Sequence, residues 1–374
     1  MTLVLEEGKN IELKQNGAYA IVAITKHGVE LARNLHATFQ QADLFYMSKF
    51  EKGDEDSRNI TIFEGNVRML LPSLFQSYKG IIMIISLGAV VRMIAPLLKD
   101  KKTDPAVVVI DDKGKHVISV LSGHLGGANE LTIEVAQLLN ATPVITTASD
   151  VQKTIPVDLF GSRFGWVWES DEKLTPVSAS VVNEEHVAII QESGEKDWWT
   201  YDRTLPETLK IYPTIKDAIE AKPQAALVVT HRNLTEKENV ILQNGVLYRP
   251  KVIVLGVGCN RGTSMEEIEQ VIQDTLHELQ FSIKSVKAIC SIDLKKDEEG
   301  IIAVAQKYQW DFTCYSAGEL NSVQIELPSE TVYKFTGAYG VSEPAARLYS
   351  GATTLSLTKK KSGNVTISVA VIPY

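Results

Sequence analysis

Apolar positions along the chain follow two periods. "AYAIVAIT" (18–25), "GIIMIIS" (80–86) and "AVVVID" (106–111) are continuously apolar, the pattern of strands covered on both faces. Between them apolar residues recur every three or four positions. In "GVELARNLHATF" (28–39), Val29, Ala32, Leu35 and Phe39 share one helical face, and in "NELTIEVAQLL" (129–139), Leu131, Val135 and Leu138 do the same. Asn129 has the side chain of an N-cap there. "GAVVRMIAPLL" predicts a helix that Pro96 disturbs or ends. "HVISVLS" (116–122) is a further strand, and the turn "DDKG" joins it to 106–111 as a hairpin. "PVITTASD" (143–150) reads as a strand and its exit. Strand alternating with helix predicts an open, mostly parallel α/β sheet over 1–150.

From 151 to 248 the pattern loosens. "FGWVWE", "HVAIIQE" and "AALVVTHRNL" predict strands, and "LQNGVLYRP" a hairpin or linker, so a smaller middle α/β domain is expected. Trp166, Trp168, Trp198 and Trp199 concentrate there, with core packing as their expected use. Over 249–374 the alternation returns as a C-terminal α/β domain. "KVIVLGVGC" predicts a strand and "SMEEIEQVIQDTLHELQ" a helix, where Ser264 and Glu267 have capping-box spacing. "IIAVAQKY", "AGELNSV" and "SEPAARLYSGA" predict helices, the last with Pro344 in its first turn and Gly351 at its end. "FTCY" and "NVTISVAVIP" predict strands.

Composition narrows the classes. The chain has 374 residues, 44% hydrophobic and 22% charged, which exceeds one ordinary core and argues against disorder. A net charge of -8 argues against nucleic-acid or membrane-surface partners. The longest apolar run, 81–91, is too short to span a bilayer. Three cysteines without a CxxC pair, and a polar N-terminus "MTLVLEEGKNIELKQNG" unlike a signal peptide, lead us to expect a cytoplasmic protein.

Ligands of open parallel sheets sit at the carboxyl ends of the strands. Four loops are candidates on that rule: "TKHG" (25–28), "SLGAVVR" (86–92), "SGHLGGAN" (122–129) and "TTASD" (146–150). The third lacks both phosphate-binding glycine fingerprints. Its glycine amides suit an anion or oxyanion, and His124 suits proton transfer, against the alternative of a structural hydrogen-bonder. In "GVGCNRG" (256–262), Cys259 reads as a small buried hydrophobe rather than a nucleophile. Asn260 and Arg261 could hold a carboxylate, an exposed solvated arginine being the alternative. "TGAYGVSEPAA" (336–346) offers Tyr339, Ser342 and Glu343, and Glu343 could serve only the helix dipole. "KDKK" and "KKK" read as solvated faces.

Taken together and in this order, "SLGAVVRMIAPLLKDKKTDPAVVVIDDKG", "LSGHLGGANELT", "VITTASD", "VDLFGSRFGW", "VLGVGCNRGTS" and "TGAYGVSEPAA" resemble one family, the cobalt-precorrin-5A hydrolases of anaerobic cobalamin biosynthesis. The resemblance spans roughly residues 18 to 372. It implies three regions and a reaction: water opens the ring-A δ-lactone of a cobalt-bound contracted macrocycle, and C20 with its methyl group leaves as acetaldehyde. The cobalt would arrive with the substrate, so no protein-held cofactor or catalytic metal is expected. The expected partner is the cobalt-corrinoid, with neighbouring pathway enzymes as further candidates. On this expectation His124 is the base and Glu343 the reserve catalytic carboxylate. Substrate or its oxyanion would be held by Ser86, Gly88 and Arg92, by Ser122, Gly123, Gly126, Gly127 and Asn129, by Thr147, and by Asn260, Arg261, Tyr339 and Ser342. Lys26, Arg92 and Arg261 are the expected cations at strand exits or first helical turns. The alternatives are a non-catalytic corrinoid carrier or scaffold and a generic small-anion-binding module.

Overall fold

The computed structural model describes residues 2–5, 11–325 and 328–374; part of the polar N-terminal stretch, 6–10, lies outside them. The chain divides into two compact units, Met1–Asp158 and Leu159–Tyr374.

Among the described residues, the first unit holds an eight-stranded sheet. In sheet order its strands are Thr2–Val4, Thr61–Glu64, Ala42–Met47, Tyr19–Ala23, Gly80–Ile84, Ala106–Ile110, His116–Leu121 and Thr142–Val144. The first six run parallel. The apolar runs read from the sequence form its centre, and Ile21, Val22, Ile82, Met83, Val107 and Val108 are fully buried. The helix Lys26–Thr38 buries Val29, Ala32 and Leu35 as its period requires, and Thr25 caps it by accepting from the Gly28 amide. The helix Leu87–Ile94 gives way at Pro96 to a single tighter turn, Ala95–Leu97. Three strands, Thr2–Val4, Ala42–Met47 and Thr61–Glu64, fall outside those read from the sequence.

The expected hairpin is present. His116–Leu121 pairs antiparallel with Ala106–Ile110, and Thr142–Val144 then runs parallel to it. These last two strands therefore point opposite to the other six. Their exits open at the end of the sheet where the six parallel strands begin. The four loops grouped by sequence thus fall on two opposite edges: 25–28 and 86–92 on one, 122–129 and 146–150 on the other.

The second unit holds two five-stranded sheets among the described residues. The first orders Leu209–Tyr212, Val187–Gln191, Ala225–Val229, Gly245–Arg249 and Val167–Trp168. "NGVLYR" is thus an inner strand of this sheet, parallel to Ala225–Val229, and not a hairpin or linker. Trp166 is buried, edge-on to Phe160 at 5.5 Å, and packs the interior, while Phe160 also meets the half-buried Trp198. The other sheet orders Asp311–Tyr315, Val286–Ile292, Ile253–Cys259, Val365–Val371 and Leu357–Ser362. The first three strands are parallel, and the last two form an antiparallel edge. The "KKK" run lies on that edge strand, where lysines discourage pairing with another chain. Ser264 caps the helix Met265–Glu278 by accepting from the Glu267 amide. Glu267 does not complete the box; its carboxylate accepts from the Asn364 amide instead.

Candidate active site

His124 stands at the centre of a polar group drawn from three segments of the first unit. Its Nδ1 lies 2.9 and 3.2 Å from the two oxygens of Asp158, in the turn after 153. Its Nε2 lies 3.0 Å from Asp150 Oδ2 and 3.2 Å from Ser149 Oγ, both on the short helix Ala148–Gln152. The side chain is 15% exposed, against 32% for Asp150 and 18% for Asp158. Hydrogen bonds to Asp150 and then Asp158 outweigh the cost of burial and raise its pKa to about 9. At neutral pH the ring is therefore an imidazolium donating from both nitrogens. That departs from the free base expected of His124: a ring already protonated accepts nothing until it gives a proton up.

The loop's geometry explains its composition. The chain turns back so tightly that Ser122 adopts a left-handed φ of 57° and its hydroxyl donates to the Asp104 carbonyl. A Cβ on Gly126 would come within 2.3 Å of Ser122 Cβ, and one on Gly123 within 2.8 Å of Asn129 Oδ1. Both positions require glycine to fold the loop. The expected oxyanion donor at Gly127 is instead spent internally: its amide donates to the His124 carbonyl at 2.8 Å, and the next two amides donate to the carbonyls of Ser122 and Gly123. Asn129 is not the N-cap either, since Gly127 holds that position. Its buried side chain spans the site, accepting from Ser119 and donating to Thr147 Oγ1 at 2.9 Å and Asp150 Oδ2 at 2.7 Å. Thr147 thus orients Asn129.

Ser86, Gly88 and Arg92 are exposed, and they sit on the opposite edge of the sheet from His124. Arg92 is in the last turn of its helix, not the first, and its guanidinium donates to the Gly88 carbonyl. Lys26 opens the helix on that same edge.

The remaining candidates lie in the second unit. Arg261 is exposed but engaged, donating to Asp297 at 2.7 Å and to the Leu294 carbonyl at 3.1 Å. Asn260 donates to Asn364. Tyr339 stacks on Tyr333 with ring centroids 4.4 Å apart. Ser342 is buried, with its hydroxyl accepting from Ser368 at 2.9 Å, which leaves it structural. Glu343 is also buried and pairs with Arg347 one turn along at 3.2 Å, so it is held away from solvent rather than presented to a substrate. Cys259 is half-buried, and burial pushes its thiol pKa up, away from a nucleophile.

The sequence reading missed Ser149, Asp150 and Asp158 as site residues. All three fall inside stretches that carried the resemblance, "VITTASD" and "VDLFGSRFGW".

Three family models match the chain: cobalamin synthesis G N-terminal over 69–150, the cobalamin biosynthesis central region over 155–250, and cobalamin synthesis G C-terminus over 253–370. The chain is 72% identical over 370 residues to the cobalt-precorrin-5A hydrolase of Priestia megaterium, with 99% of each chain covered. The chain belongs to the cobalt-precorrin-5A hydrolase family. It is 32% identical to the family member from Salmonella typhimurium, covering 94% of this chain and 97% of the other. A probable cobalt-precorrin-5A hydrolase of Methanocaldococcus jannaschii is 26% identical over 309 residues, 78% of this chain and 85% of that one. Within this family member, His124, Ser149 and Asp150 lie in the N-terminal match and Asp158 in the central one.

Proposed function

We propose that the protein is a cobalt-precorrin-5A hydrolase. The net reaction adds water across the ring-A δ-lactone, and C20 with its methyl group departs as acetaldehyde, leaving cobalt-precorrin-5B. The observation that carries this reading is the full-length, 72% identical relative of that name. The polar group around His124 supports it chemically. Lactone opening needs a proton taken from the attacking oxygen, and expulsion of the aldehyde needs the C20 oxygen left as an alkoxide. Collapse of that alkoxide sends the electron pair of the broken C–C bond into the conjugated macrocycle, so no redox cofactor is required. Cobalt enters as part of the substrate.

His124, clamped between Asp150 and Asp158, is the proton-handling group on this reading. Its three carboxylate and hydroxyl neighbours give a proton somewhere to go, and Asp150, a third exposed, connects them to solvent. The local charge of two carboxylates and one imidazolium suits the neutral lactone better than the carboxylate arms. Among the described residues no helix is long and apolar enough to cross a membrane. We place the reaction in the cytoplasm, consistent with three unpaired cysteines. The test is acetaldehyde release from anaerobically prepared cobalt-precorrin-5A, with the matching mass loss in the corrinoid. Unchanged substrate in the presence of folded protein would refute the reading.

A further inference from the structure

Building on the lactone-hydrolase reading, we propose that Ser149, rather than a water molecule, is the nucleophile that opens the lactone, so that the reaction passes through an acyl-enzyme. Ser149 Oγ lies 3.2 Å from His124 Nε2, and on the far side of the ring Nδ1 lies 2.9 Å from Asp158. Hydroxyl, imidazole and carboxylate follow one another in the order by which a serine is activated and its base oriented. The arrangement is not a by-product of local sequence. The serine sits on a short helix, the histidine on the 122–129 loop and the aspartate on a later turn, with 25 and 34 residues separating the first two and the last two contacts. Among the described residues, His124 is the one hydrogen-bond partner of the Ser149 hydroxyl. Ser149 is 6% exposed, and the group opens to solvent through Asp150 beside it.

Asp150 gives this group a second feature. Its Oδ2 competes with Ser149 for the same nitrogen and, through Asn129, is fixed where it competes best. With the ring protonated, Nε2 donates to Asp150 and the serine is idle. When Nε2 has lost its proton by way of Asp150 to solvent, it accepts from Ser149. Asp150 is therefore a positioning residue that sets the pH at which the serine becomes active.

The steps balance. Ser149 Oγ bonds to the lactone carbonyl carbon while its proton passes to His124 Nε2. The carbonyl carbon's bond to the ring oxygen breaks, and the C20 oxygen leaves as an alkoxide. That alkoxide becomes the aldehyde C=O as the C20–macrocycle bond breaks, its electron pair moving into the macrocycle. The corrinoid now hangs from Ser149 by an ester. The proton on His124 Nε2 passes by way of Asp150 to solvent, which restores the free imidazole. Water then gives a proton to that nitrogen as it attacks the ester, the acyl bond to Ser149 breaks to release the ring-A carboxylate, and Ser149 Oγ takes its proton back from His124. The lactone's acyl oxygen bond is cleaved first, so aldehyde release precedes hydrolysis.

The experiment is a rapid acid quench of single turnover by the full chain, with mass spectrometry of the intact protein and of the peptide carrying Ser149. An ester adduct equal to the substrate less acetaldehyde is expected, together with a hydroxamate of the product when hydroxylamine is present. Ser149→Ala should lose about 10³-fold in turnover while still binding coloured corrinoid. Ser149→Cys should turn over slowly and carry a thioester. Asp150→Asn should move the pH profile of turnover to lower pH, a change a merely structural role would not produce. Near-normal turnover by Ser149→Ala overturns the proposal, as does wild-type acetaldehyde release with neither adduct nor hydroxamate. Both outcomes leave the hydrolase reading intact, whereas that reading alone falls if the wild type releases no acetaldehyde.

Discussion

Asn129 Nδ2 lies 2.7 Å from Asp150 Oδ2, so a buried amide fixes the carboxylate that in turn holds His124. Replacing Asn129 by alanine removes that donor, the Thr147 contact and the acceptor for Ser119 together. Leaving buried polar partners unmatched costs about 1–3 kcal/mol. Asn129→Ala should therefore lower the urea midpoint and slow acetaldehyde release. A variant of wild-type stability and rate would show that the amide orients nothing.

Turnover should rise with pH. His124 has its pKa raised to about 9, so the fraction able to accept a proton grows about tenfold per unit below that value. The acetaldehyde rate from pH 6 to 10 should climb and level near 9 while binding stays flat. Stability should move the other way. A folded-state pKa above the unfolded value makes a contribution that is complete below about 6.5 and lost as pH rises through about 9. Thermal unfolding of wild type and His124→Ala across that window should converge at the alkaline end.

Gly126→Ala would drive a methyl carbon to 2.3 Å from Ser122 Cβ and 2.8 Å from its carbonyl oxygen. Backbone does not yield cheaply, and overpacking of this kind costs about 1–3 kcal/mol. The variant should unfold at lower denaturant and lose turnover together, because the loop carrying His124 cannot keep its path. Wild-type stability would mean the loop has slack.

Arg92→Ala should do little. The side chain is exposed, turned onto its own helix, and on the sheet edge opposite His124. Exposed substitutions of this kind stay within about 0.5 kcal/mol. Steady-state rates should agree with wild type within about twofold; a tenfold loss would place a substrate contact on that edge.

Much of this was legible in the chain, but unevenly. The apolar runs 18–25, 80–86 and 106–111 declared themselves because a strand buried on both faces leaves no polar interruption. Ala42–Met47 was passed over because Asp43 breaks the run; its carboxylate accepts from the Asn16 and Gly17 amides and from Tyr78. Gly245–Arg249 was misread because "NG" is a strong hairpin signal, whereas here it leads into an inner parallel strand. The sharpest case is the "DDKG" hairpin, read correctly without drawing out that it reverses the strand feeding the 122–129 loop. The grouping of four loops failed for that reason alone. Ser149 and Asp158 lie inside quoted stretches, yet nothing singles them out there, since serine and aspartate are ordinary in caps and turns and their meeting with His124 is set by the fold, not by spacing.

Asp158 is the last residue of the first compact unit, beyond its final strand and helix. A fragment ended at residue 150 would keep every strand of the eight-stranded sheet yet leave Nδ1 of His124 without its counter-ion. Chemical competence thus resides in the irregular tail that follows the last helix of this unit as much as in the sheet, and losing that tail would silence the histidine while every strand beneath it stayed in place.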